Sequence, residues 1–72
     1  MSCRIAIAPF DQPTKRQTMT VGIETDQEAR KSARDRSSRH TEFFYFVIDE
    51  YTGVCLAVYA VGKICRKNPL YR

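Results

Sequence analysis

Residues 42–50, EFFYFVIDE, and residues 54–62, VCLAVYAVG, are apolar on both faces of an extended chain and meet at the turn EYTG, residues 50–53. In the first run Phe43, Tyr45 and Val47 share one face and Phe44, Phe46 and Ile48 the other. In the second, Val54, Leu56, Val58 and Ala60 oppose Cys55, Ala57, Tyr59 and Val61. Aromatic and β-branched side chains suit strands, and Gly53 is free to take the positive φ that a hairpin turn requires. A hairpin that is greasy on both sides must be covered on both sides, and that requirement constrains the remaining chain more than any other feature.

The cover on one side is expected from a helix. CRIAIAPF, residues 3–10, alternates Cys3, Ile5 and Ile7 against Arg4, Ala6 and Ala8, the period of a half-buried strand, and Pro9 ends it or marks a sheet edge. DQPTKRQ then reads as a loop. TMTVGIET, residues 18–25, alternates again with Met19, Val21 and Ile23 toward the core, so the two runs make a hairpin. Thr25 with Glu28 three residues on forms a capping-box pattern, and Asp26 and Glu28 set negative charge at the positive end of the helix dipole. The apolar stripe of that helix is only Ala29 and Ala33, flanked by Ser32 and Ser37, so it can approach a sheet closely but gains little from burial. Ile64 and Cys65 extend the last strand or start a short additional one, and Pro69 ends regular structure. The sum is an α+β domain, an antiparallel sheet of four to five strands in the order β-β-α-β-β with the helix on one face. The face away from the helix is expected to be covered by a second subunit or another macromolecule, and a homodimer through that face fits this need; the alternative is that some apolar residues simply remain at the surface, as in every protein.

Residues 1–72 allow one domain, with a basic tail over 63–72. A chain this short buries only about 60% of the surface that its unfolded form exposes. Its 43% hydrophobic content and formal charge of +4 exclude disorder, and no apolar run reaches the roughly 18–20 residues of a membrane span. The N-terminal residues are too interrupted for a secretory leader, and Cys3, Cys55 and Cys65 are odd in number with no C-x-x-C pair. Both features point to a cytoplasmic protein. These cysteines and His40 match no zinc-ligand spacing, so neither a metal nor a cofactor is expected.

The segment ARKSARDRSSRH, residues 29–40, carries Arg30, Lys31, Arg34, Arg36 and Arg39 against one acid, Asp35. A helical wheel puts Arg30, Lys31 and Arg34 opposite the alanines, with Arg36 and Arg39 on the flanks. A face that only solubilises mixes both signs, so this ridge reads as a partner-binding surface. Eight arginines to four lysines in the chain suit bidentate contact with phosphates or carboxylates. Lys15 and Arg16 form a second basic group, and Lys63, Arg66, Lys67 and Arg72 a third. If loop, helix and tail shared one face they would form a footprint for nucleic acid. Phe43, Phe44, Tyr45 and Phe46 could stack on bases, although such a run is more often core.

Catalysis has little support: His40 is the only histidine, no G-x-S-x-G, P-loop or H-E-x-x-H occurs, and Asp49 and Glu50 are neighbours beside a turn. In layout, a short capped helix after a hairpin, TVGIETDQEARKSAR, followed by a second hairpin, YFVIDEYTGVCLAVYAVGK, resembles small phage-encoded proteins, including some anti-CRISPR inhibitors of multisubunit interference complexes. The resemblance covers residues 18–63 and implies a non-catalytic inhibitor that docks on a nucleic-acid-handling complex in the host cytoplasm. The partner would then be an acidic protein or ribonucleoprotein surface. A stand-alone nucleic-acid-binding module, including a dimeric regulator, is the alternative that the same basic residues allow.

Overall fold

The computed structural model describes residues 2–66, with backbone only for residues 19–23. The strands are β1 (Ser2–Pro9), β2 (Gln17–Thr25), β3 (Phe43–Asp49), β4 (Cys55–Ala60) and β5 (Lys63–Ile64), and the helix is α1 (Asp26–Arg39). They form the expected β-β-α-β-β order with a short fifth strand, in one antiparallel sheet ordered β2-β1-β3-β4-β5. The inward facing expected of Met19, Val21 and Ile23 concerns side chains outside those described, and Lys67, Pro69 and Arg72 also lie outside the described residues. No described helix is long and apolar enough to cross a membrane.

β1 lies between β2 and β3, which explains why it is buried on both faces and not on one. Cys3 and Ile5 join the core beneath α1, while Ala6 and Ala8, expected to point outward, are buried on the far face. The β1–β2 hairpin is also irregular: Cys3 faces Glu24, whereas Ile5 faces Met19. β3 follows the sequence pattern, with Tyr45 and Val47 under the helix and Phe46 and Ile48 on the far face. β4 departs from it. The register runs Val47 to Ala57 and then Ile48 to Cys55, so a bulge at Leu56 moves that side chain to the helix side and Cys55 to the far side. One extra residue in a strand reverses the facing of every residue beyond it.

The far face is largely closed by the chain itself. Phe46, Val58 and Ala8 are 0%, 3% and 0% exposed. The Phe10 ring lies 4.4 Å from that of Phe44, the Arg16 guanidinium lies over Phe46, and Cys65 packs on this cluster with its amide bonded to the Val58 carbonyl at 2.7 Å. Burial of these residues therefore does not require a second copy.

Thr25 caps α1 as its sequence indicates, its hydroxyl accepting from the Glu28 amide at 3.3 Å. α1 lies mainly over β3 and β4. Its buried stripe is Ala29, Ala33 and Ser37, small residues four apart that let the helix backbone sit close to the sheet. Ser37 closes the far end: its hydroxyl donates to the Arg34 carbonyl at 2.8 Å and accepts from the Gly62 amide at 3.0 Å. A Cβ on Gly62 would stand 3.0 Å from that of Ser38, so only glycine lets the β4–β5 turn meet the helix end this closely.

Candidate functional site

The five basic residues of α1 do not form one ridge. Because Ala29, Ala33 and Ser37 face the sheet, Arg30 and Arg34 fall on the flank above β4, Lys31 on the crest, and Arg36 on the opposite flank. Arg30 is thus half-buried beside the alanines and not opposite them. Its Nε donates to Asp26 Oδ1 at 2.7 Å, a bond that raises the guanidinium pKa further, with the Tyr59 hydroxyl adding to the shift and burial opposing it. Arg39 pairs with Asp35 at 2.8 Å. Both are i,i+4 pairs, the first part-buried and the second open to solvent; such pairs contribute only about 0.3–0.5 kcal/mol each, but each cancels a positive charge. They are the only ion pairs among the described residues.

Arg34 has no carboxylate partner among the described residues, and its guanidinium sits over the Tyr59 ring with Cζ 5.6 Å from the centroid. Gln27, Glu28, Arg30, Lys31, Arg34 and Tyr59 line a groove of about 500 Å³ between α1 and β4. Three cations face one acid in that lining. Stacking on Tyr59 holds the Arg34 fork in place, which lowers the rotamer entropy lost when an anion is bound.

On the other flank, Arg36 donates through Nε to Ser32 Oγ at 3.3 Å. Arg36 and His40 border a smaller hollow of about 360 Å³ with Ile7, Gln17, Phe43 and Tyr45. Burial pushes the Tyr45 hydroxyl pKa up, Glu42 adds to the shift, and Arg36 works against it. Under the helix start the Cys3 thiol is likewise pushed up, first by burial and then by Asp26 and Asp49. A thiol held protonated in this way is a packed core group and a poor nucleophile.

The remaining basic groups are dispersed. Lys15 lines a hollow with Ile7, Pro9, Gln17 and Phe43, near Arg36. Arg16 lies on the face away from the helix, over Phe46. Lys63 pairs with Ala60, whose side chain alternates with that of Tyr59, and so points to that far face too. Arg66 is exposed beyond β5. A single footprint made of loop, helix and tail is thus not assembled by the described residues, because the sheet separates Arg16 and Lys63 from Arg30, Lys31 and Arg34. Base stacking is closed to Tyr45 and Phe46, which are 2% and 0% exposed.

Sequence reasoning missed Tyr59 and Arg4. Tyr59 was assigned to a strand face with no reason to single it out, although a tyrosine among aliphatic residues is the one member of VCLAVYAVG that can hold a guanidinium. Arg4 has no basic neighbour in sequence to draw notice. Comparison with protein-family models, curated proteins and solved structures returns no match to this chain.

Proposed function

We propose that this chain is a non-catalytic binding protein that docks through the groove between α1 and β4 on an acidic surface of a nucleic-acid-handling complex, in the manner of small phage-encoded inhibitors acting in the host cytoplasm. The observation that carries this reading is Arg34, stacked on Tyr59 and free of any carboxylate partner among the described residues, beside Arg30 and Lys31. An acidic side chain or a guide backbone would meet a prearranged fork there, and charge complementarity would speed the encounter and exclude partners of the wrong sign.

A stand-alone nucleic-acid module fits less well, since it would need a continuous basic track and the cations here lie on two faces. Anisotropy of labelled duplex DNA at about 50 and 150 mM salt separates the two. Docking on a protein complex predicts only non-specific duplex affinity, in the range of about 10⁻⁴–10⁻⁶ M, which weakens by no more than the loss of three cations requires when Arg30, Arg34 and Arg39 become alanine. Tight binding that collapses with salt and vanishes in that triple variant would favour the nucleic-acid module instead.

A further inference from the structure

We propose a second, separate site on the face away from α1, where Arg4 and Arg16 with Thr14 and Thr18 bind a phosphate group. The register builds it. Ala6 on β1 stands between Phe46 of β3 and Thr18 of β2, and Arg4, two residues along on the same face, stands opposite Ile48. A methyl group between larger neighbours leaves a hollow, about 320 Å³ in volume, walled by Arg4, Arg16, Thr14 and Thr18 above Ala6 and Ile48.

Among the described residues lining it none is acidic, and neither arginine makes an ion pair with a described carboxylate. The Arg16 guanidinium is steadied over the Phe46 ring at 5.7 Å, while Arg4 reaches the hollow from β1. Two guanidinium forks and two hydroxyls offer donors from several directions and no opposing charge. That set fits the tetrahedral oxygens of phosphate better than the planar pair of a carboxylate. The phosphate could be free or part of a single-stranded nucleic acid. Beyond Arg16, Phe46, Phe44 and Phe10 continue as an aromatic row with centroids 6.2 and 4.4 Å apart, and Phe10 is 43% exposed. A base stacked at Phe10 would mark the strand as the source.

The site is independent of the α1 groove, from which the sheet divides it, so either can fail alone. The test is an amide and arginine Nε NMR titration of the whole chain, first with inorganic phosphate against sodium chloride of equal ionic strength, then with a short single-stranded oligonucleotide. Saturable shifts at Arg4, Arg16, Thr14 and Thr18 are expected. Arg4→Ala and Arg16→Ala should each raise the apparent Kd about tenfold, as loss of one charge-assisted contact does. Tighter binding of the oligonucleotide with an added Phe10 shift identifies a strand, and phosphate alone binding as well identifies the free ion. If neither ligand gives saturable shifts at these residues, or if both folded arginine variants bind as the parent does, the proposal is overturned.

Discussion

Val61 is the residue under most backbone strain among those described. It and Gly62 form the two-residue turn that joins Ala60 to Lys63, with φ of 53° and 74°. Both values suit a type I′ turn, whose twist matches that of the strands, but a β-branched side chain at positive φ crowds its own backbone. Val61 is 53% exposed and so recovers little of that cost through packing. Val61→Asn should therefore stabilise the fold by about 1 kcal/mol, read as a higher urea midpoint at unchanged slope. A lower midpoint would mean that the valine side chain contributes packing that its exposure does not suggest. Gly62 is under the opposite constraint, since Ser38 leaves no room for a Cβ and Ser37 takes its amide.

At the scale of the element, α1 is held by closeness more than by greasy area. Ala29 and Ala33 are both 0% exposed, so no larger residue fits between helix and sheet. Ala33→Leu should overpack this seam and cost about 1–3 kcal/mol in urea denaturation, despite adding apolar area. Unchanged or greater stability would show that the helix rides loosely. This seam was legible in the sequence, as were the Thr25 cap and the two faces of β3, because each follows from residue type at helical or strand spacing. The facing of Leu56 was not, since a bulge arises from pairing with Ile48 and Val47 and leaves no mark in the alternation of β4. Nor was the burial of Ala6 and Ala8, which depends on β1 having a neighbour on each side. For the candidate site, the wheel grouped Arg30, Lys31 and Arg34 but misplaced Arg30, because the half-buried flank of a helix becomes visible only once the sheet beneath it is known. Asp26 lies outside the basic segment, so its cancellation of Arg30 also went unseen.

For the molecule as a whole, the sheet separates Arg30, Lys31 and Arg34 on one face from Arg4 and Arg16 on the other. Above β4, Arg30, Lys31 and Arg34 rise beside Tyr59 in an open groove, where the proposed acidic partner would dock. Below the sheet, Arg4 and Arg16 flank a smaller hollow. The groove is the central claim, and reversing charge within it tests it most directly. Wild-type chain and a Lys31→Glu/Arg34→Glu variant, both verified as folded by circular dichroism, would be immobilised and exposed to bacterial lysate, and the retained proteins quantified by mass spectrometry. Both changes are at exposed positions, and Arg34→Glu also removes the guanidinium from over the Tyr59 ring, which is why folding is verified first. A nucleic-acid-handling complex held by the wild type and reduced at least about tenfold on the variant is the predicted result, since truncating or reversing a charged contact weakens such complexes by that order or more. The same proteins retained in equal amounts by both would contradict it.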